Sequence, residues 1–257
     1  MGRLEGKRCV ITGSGSGMGR AAALRFAQEG GAVAVLDLNG AAASAVAEEI
    51  RGAGGRALGR ACDVTSEESV RNAVAAAAGE FGGIDVCWAN AGSGDHGTVV
   101  TTPLEHWEKV LRLNLTGMFL TAKYVVPHMI EAGGGSLIFT SSSGVLGSTP
   151  GVVSNMSAKG GVLGMTRQVA TDFLAQKVRV NAICPGPIMT PALTDSFELR
   201  DAQQGLPPGT LVARYQAAHP LGRLGRPEDV ANVALFLASD ESVWVNAQYI
   251  NVSGTGH

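Results

Sequence analysis

The chain has 257 residues, of which 45% are hydrophobic and 16% charged, and its formal net charge is -2. That balance excludes a disordered chain and fits one large α/β domain spanning residues 1–257. Near-neutral charge supplies no basic field for nucleic acid or an anionic membrane, and no apolar run approaches the roughly 20 residues that cross a bilayer. The N-terminus runs into a strand pattern without the apolar core of a signal peptide, so a cytoplasmic protein is expected.

Short β-type runs alternate with helical patterns. Residues 8–12 read as a strand, 18–29 as a helix, 32–38 as a strand and 41–51 as a helix. A strand at 57–64, an alanine-rich helix at 67–81 and a strand at 84–89 follow. Residues 103–130 read as one long helical stretch, 136–140 as a strand, 157–175 as a helix and 178–184 as a strand. Residues 192–224 read as the longest irregular stretch, a candidate substrate-binding loop at about 190–224. A helix at 227–238 and a strand at 249–252 close the chain. Strands apolar throughout belong in a sheet covered on both faces, and strict β–α alternation makes that sheet parallel. Cys9, Cys62, Cys87 and Cys184 form no CxxC pair. They read as buried reduced thiols, with no metal site.

Gly13, Gly17 and Gly19 fall between the first strand and the first helix. Glycine lets backbone approach a pyrophosphate closely, and a helix N-terminus presents free N–H groups and partial positive charge. Asp37 ends the second strand 18 positions after Gly19, with Leu38, Asn39 and Gly40 following it. A carboxylate there accepts hydrogen bonds from ribose hydroxyls and repels a 2′-phosphate, so NAD(H) is expected over NADP(H). Asp63 and Val64 close the third strand, and Asn90, Ala91 and Gly92 follow the fourth. Both lie at the carboxyl edge where such sheets bind ligands.

The run TGxxxGxG at 12–19, Asn90-Ala91-Gly92, Asn114, Ser142, Ser157-Ala158-Lys159-Gly160-Gly161, Pro185-Gly186 and the stretch 220–230 occur in order over nearly the whole chain. Together they resemble the short-chain dehydrogenase/reductase family. The resemblance implies a single Rossmann-type doubly wound parallel sheet with helices on both faces. It implies hydride transfer between nicotinamide and a secondary alcohol, diol or ketone. Gly13, Ser16, Gly17, Met18 and Gly19 match the pyrophosphate loop, Asp37 and Leu38 the ribose end, and Asp63 and Val64 the adenine contacts. Asn90, Ala91 and Gly92 match the residues that support the cofactor. Pro185, Gly186, Ile188 and Thr190 match the nicotinamide segment. The resemblance also implies a homotetramer paired through the two long helices at 103–130 and 157–175, with the tail 251–257 near subunit contacts.

The family pairs a substrate-polarising serine with a tyrosine, a lysine four residues later and an asparagine that holds a relay water. By this pattern Ser142, Lys159 and Asn114 are catalytic positions, with Ser141 and Ser143 flanking Ser142. The tyrosine position is Asn155, and Tyr124, Tyr215 and Tyr249 do not precede a lysine by four. A phenol with a reference pKa of about 10 can be tuned toward neutrality by a nearby ammonium, whereas a carboxamide cannot exchange a proton usefully at neutral pH. Asn155 therefore marks either a substitution in an otherwise active dehydrogenase or a naturally non-catalytic dinucleotide-binding protein. A non-redox enzyme on the same scaffold would ordinarily have lost the cofactor loop, which is whole here. Substrate contacts are expected from the loop 93–97 through His96, from Ser142 and Ser143, and from Met189, Leu193 and the residues up to about Tyr215. His96 could orient a polar substrate or carry a proton.

Overall fold

The computed structural model describes residues 2–94, 96–147 and 150–255. Asp95 of the expected substrate loop, and Gly256 and His257 of the tail, lie outside the described residues. Seven strands form one parallel sheet: β1 (Arg8–Thr12), β2 (Ala32–Asp37), β3 (Ala57–Ala61), β4 (Val86–Ala89), β5 (Gly135–Thr140), β6 (Val178–Pro185) and β7 (Tyr249–Val252). Their order is β3-β2-β1-β4-β5-β6-β7. The chain reverses direction across the sheet between β1 and β4, where a crevice opens at the carboxyl ends.

Side-chain alternation along each strand splits the core in two. Val10, Leu36, Cys87, Phe139 and Val180 face α3 (Glu67–Phe81), α5 (Gly117–Glu131) and α7 (Val153–Asp172). Ile11, Val35, Trp88, Ile138 and Ile183 face α1 (Gly17–Gln28), α2 (Gly40–Gly52) and α10 (Pro227–Ala238). The fold is thus the doubly wound α/β sheet that the alternation of elements predicts. All four cysteines are buried and unbridged.

Several boundaries differ from the sequence reading. The third strand stops at Ala61 because Asp63 turns the chain, its Oδ1 accepting from the Thr65 N–H and hydroxyl at 2.8 and 2.7 Å. The stretch 103–130 is three pieces: α4 (Leu104–Leu111), a π-helical turn (Arg112–Thr116) and α5. Helix α7 starts at Val153, not 157, and so carries both Asn155 and Lys159 on one face. A short helix α6 (Ser143–Gly147) follows β5.

The largest correction concerns 192–224. It is not irregular but forms α8 (Pro191–Gln203) and α9 (Thr210–Ala218), closed on the small cluster Phe197, Leu211 and Leu224. Thr190 caps α8 by accepting from the Leu193 N–H at 3.3 Å, with Pro191 in the first turn. That Thr-Pro pair is a helix-start signal present in the sequence.

At the opposite edge Arg8 and Asp85 tie β1 to the segment entering β4. The guanidinium donates to both carboxylate oxygens at 2.7 Å, and the Arg8 N–H donates to Oδ2 at 2.8 Å. Burial alone would raise the Asp85 pKa, but these bonds and the Arg8 charge outweigh it and hold it below the ordinary carboxylate value. A depressed native pKa stabilises the fold above the unfolded pKa and ceases to do so as pH falls through the folded value. Asp85→Asn is therefore expected to cost about 1–3 kcal/mol at pH 7. Urea unfolding should show the gap to the parent narrowing toward pH 3; a gap independent of pH would contradict this account.

Candidate active site

Two contiguous cavities follow the carboxyl edge of the sheet. A groove of about 330 Å³ is lined by Gly13, Ser16, Gly17, Asp37, Asp63 and Val64 among others. A cleft of about 360 Å³ is lined by Ser142, Asn155, Lys159, Pro185, Leu193 and His96 among others. Met18, Asn90, Gly92 and Thr190 belong to the walls of both. Leu38 and Ala91 line the groove; Gly186 and Ile188 line the cleft.

The groove passes a physical test for a dinucleotide. Ser16, the N-cap of α1, makes no side-chain cap bond, which leaves first-turn amides available to an anion. A Cβ on Gly13, whose φ is 63°, would stand 2.8 Å from Ala91 Cα, and one on Gly19 would stand 2.2 Å from the Gly13 carbonyl oxygen. One on Gly17 would meet the Thr190 methyl at 3.1 Å across the groove. Glycine thus keeps the cradle open. Asp37 accepts the Gly15 N–H at 2.8 Å through Oδ2 and the Asn39 N–H at 2.9 Å through Oδ1. It fixes the loop at the groove wall while each oxygen retains a lone pair. Asp63 lines the groove, although its Oδ1 serves the Thr65 turn.

The floor of the cleft is cross-linked by side chains. The Asn90 amide donates to the carbonyls of Thr12 and Gly13, each at 3.2 Å, and its Oδ1 accepts from the Thr140 hydroxyl at 3.3 Å. Thr140 in turn accepts from the Trp88 indole at 2.8 Å. Lys159 reaches down from α7 and its Nζ donates to the Thr140 carbonyl at 2.8 Å. Burial pushes the Lys159 ammonium down from its ordinary 10.5 to about 7.

Asn114 lies at the centre of the π-helical turn and is fully buried. Such turns recur at functional sites because they re-aim a side chain within a helix. Its Oδ1 accepts the Ser93 N–H at 3.0 Å; its Nδ2 donates to the Ser93 carbonyl at 2.9 Å and to Asn155 Oδ1 at 3.0 Å. Asn114, Asn155 and Lys159 thus converge around Gly92, where a Cβ would stand 2.7 Å from Asn114 Oδ1 and 3.3 Å from Lys159 Nζ.

The three neighbouring serines separate. Ser141 also borders the cleft, but it is buried and its hydroxyl donates to the Lys159 carbonyl at 2.9 Å, fastening α7 to β5. Ser142 lines the cleft, its Oγ accepting the Gly144 N–H at 3.1 Å. Ser143 opens α6 and is not brought into the cleft wall. Met189 is likewise not in the cleft wall; it packs on the Phe197, Leu211 and Leu224 cluster that joins α8 and α9. His96 does line the cleft, with Nε2 3.2 Å from the Ser196 hydroxyl. Ser93, Ser196 and Arg200 fall within the segments expected to contact substrate but are not singled out there, and Thr140 reads in the sequence only as a strand end. Only their places at a strand end, in a βα loop and on the lid helix distinguish them.

A family model described as enoyl-(acyl carrier protein) reductase matches residues 13–256. A 3-oxoacyl-(acyl-carrier-protein) reductase of Thermotoga maritima is 37% identical over 252 residues, 98% of each chain. This chain belongs to the short-chain dehydrogenase/reductase family. A 2,5-dichloro-2,5-cyclohexadiene-1,4-diol dehydrogenase of Sphingobium indicum is 39% identical over 98% of this chain and 96% of its own. A 7α-hydroxysteroid dehydrogenase solved with NADH and 7-oxo glycochenodeoxycholic acid superposes with a TM-score of 0.88 and 35% identity, covering 99% of this chain and 95% of that one. As a member of this family the chain is an oxidoreductase by kinship with dehydrogenases and reductases of alcohols, diols and ketoacyl groups. Among the described residues no helix is long and apolar enough to cross a membrane, and no group of three or more His, Cys, Asp or Glu could hold a metal ion.

The depressed Lys159 pKa has a sign that can be checked in the protein without cofactor. The native state binds fewer protons than the unfolded chain between pH about 7 and 10.5, so Lys159 makes stability rise with pH across that window. Below it the burial cost is present in full. Replacing the ammonium by a thioether, Lys159→Met, should stabilise the cofactor-free protein most at pH 6 and progressively less toward pH 10. Chemical denaturation at three pH values reads this; a stability difference constant with pH would refute it.

Proposed function

We propose that this oxidoreductase transfers a hydride between NAD(H) and a secondary alcohol, diol or ketone, and that Asn155 leaves it severely impaired in the accompanying proton transfer. The observation that carries the reading is the position of the Asn155 carboxamide. It sits in the cleft one helical turn from Lys159 and accepts from Asn114 at 3.0 Å, where the family places a phenol.

A nicotinamide bound here supplies or accepts the hydride. Gly13, Ser16, Gly17, Met18 and Gly19 would hold its pyrophosphate. Asp37, beside Leu38, would hold the adenosine ribose, with Asp63 and Val64 near the adenine. Asn90, Ala91, Gly92, Pro185, Gly186, Ile188 and Thr190 would flank the nicotinamide end. The Asp37 carboxylate supports NAD(H) over NADP(H), since a 2′-phosphate would meet its charge. Ser142 would donate a hydrogen bond to the substrate oxygen, and Lys159 would hold positive charge beneath it. His96 and Leu193 would contact the substrate body. Asn155 can orient the substrate but cannot give up and regain a proton, and loss of a general acid–base group costs about 10²- to 10⁴-fold in rate.

Intact surroundings support a substitution in an active enzyme, because Asn114, Ser142 and Lys159 all stand in place. A second reading is a dinucleotide-binding protein without turnover. It draws support from the same Asn114–Asn155 bond, by which the carboxamide is accommodated without strain. Restoring the phenol separates them. Asn155→Tyr should raise NAD-linked oxidation across an alcohol panel by at least about a hundredfold. Undiminished NADH binding with no gain on any alcohol would leave the second reading standing.

Homotetramer assembly in the cytoplasm completes the proposal. The exposed Phe119 and Ile130 stand with Val126, Met165 and Phe173 along an apolar groove between α5 and α7, a face suited to pairing with a second copy. Four buried free thiols fit a reducing compartment. Sedimentation should return a tetramer; a monomer at micromolar concentration would refute the assembly.

A further inference from the structure

Helix α8 turns one face to the cleft. Leu193, Ser196, Phe197 and Arg200 fall at helical spacing and all line it. Tyr215 from α9 completes this wall, its ring centroid 5.0 Å from that of Phe197. The Arg200 guanidinium lies 6.0 Å from the Phe197 ring centre.

Arg200 stands over this wall with no carboxylate opposite it among the described residues. Among the described residues that line the cleft none is acidic, and the other groups there that can carry positive charge are Lys159 and His96. On α8 itself, the positions three and four residues away from Arg200 are Ser196, Phe197, Gln203 and Gln204, so no intrahelical ion pair satisfies it. The adjacent Asp201 is buried against α9, where its Oδ1 accepts the Leu211 N–H at 3.0 Å, and it does not line the cleft. Arg200 is also absent from the wall of the dinucleotide groove, which separates it from the pyrophosphate. A half-buried guanidinium with an aromatic shelf and no acid partner among the described residues suits a planar or tetrahedral oxyanion, which it can bind through two parallel N–H donors.

We propose that Arg200 binds an anionic group of the substrate, so that the preferred substrate is an acid or a phosphate ester whose anionic end is separated from the reacting carbon by an apolar body packed on Leu193, Phe197 and Tyr215. This rests on the oxidoreductase reading of the same cleft. Ser142, Asn155 and Lys159 hold the reacting oxygen at one end, and Arg200 sets specificity at the other.

Three ketones with one reacting group test it: 4-acetylbenzoate, its methyl ester and 4-acetylphenyl phosphate. Their affinity for the parent chain loaded with NADH is measured by calorimetry, and their reduction is measured in Asn155→Tyr. At least one acid should bind about tenfold or more tighter than the ester. The acid that does so names the source of the anion. In Arg200→Met the acid-to-ester ratio should collapse to about twofold or less, while Arg200→Lys should keep part of it. The acid preference should also shrink as potassium chloride rises. An ester bound as tightly as both acids, or an acid preference that survives Arg200→Met in a protein of unchanged thermal midpoint, overturns the proposal. Arg200-dependent binding without reduction in Asn155→Tyr would refute the redox reading and leave the anion site intact. Reduction without acid preference would do the reverse.

Discussion

The mouth of the crevice between β1 and β4 is cross-linked by one amide. Asn90 bonds the carbonyls of Thr12 and Gly13 on one side and the Thr140 hydroxyl on the other. Three strand ends, β1, β4 and β5, already paired by their backbones, are thus tied at their carboxyl ends by one side chain. Asn90 satisfies the carbonyls at the start of the Gly-rich turn from behind, while its glycines leave the ligand side clear. Lys159 can reach the cleft floor only because the Thr140 carbonyl is presented at the same edge. Cofactor groove and catalytic cleft are thus one mechanical unit.

The proton-transfer corner depends on that unit in turn. A π-helical turn aims Asn114 at Ser93 and Asn155, and α7 aligns Asn155 with Lys159. In a site with a phenol at residue 155, a buried ammonium would stabilise the developing phenolate. With a carboxamide there, the ammonium keeps its burial cost and loses that anionic partner. On the proposed reading, the site retains the electrostatic arrangement of an acid–base centre without the group that titrates. Helix α8 brings a second cationic side chain, Arg200, to the wall of the same cleft.

Much of the fold was legible because its signals are local. Strands 8–12 and 249–252 and helices 67–81 and 227–238 coincide with β1, β7, α3 and α10. Their apolar periods are uninterrupted, and the helices carry their own caps. The failures were also local in cause. Thr190-Pro191 announced α8, but the weak apolar stripe of that helix, broken by Ser196 and Arg200, hid it. The π-helical turn at 112–116 leaves no mark in periodicity, because one extra residue per turn shifts the pattern by less than its own scatter.

By itself the sequence determined the order and pairing class of the elements, the glycine turn at 13–19, the acid at 37 and the asparagine at 155. Each of these follows from backbone freedom, hydrophobic period or the identity of one residue. Only the tertiary structure decided that Ser141 and Ser142 but not Ser143 border the cleft, that Ser141 is spent on α7, that Met189 packs on the Phe197 cluster and that no acid among the described residues lines the wall beside Arg200. These are facts about contact between segments far apart in the chain: Ser141 is claimed by Lys159, Met189 by Leu211 and Leu224, and Asp201 by Leu211. Burial and hydrogen bonding assign a side chain's direction only once its partners are in place.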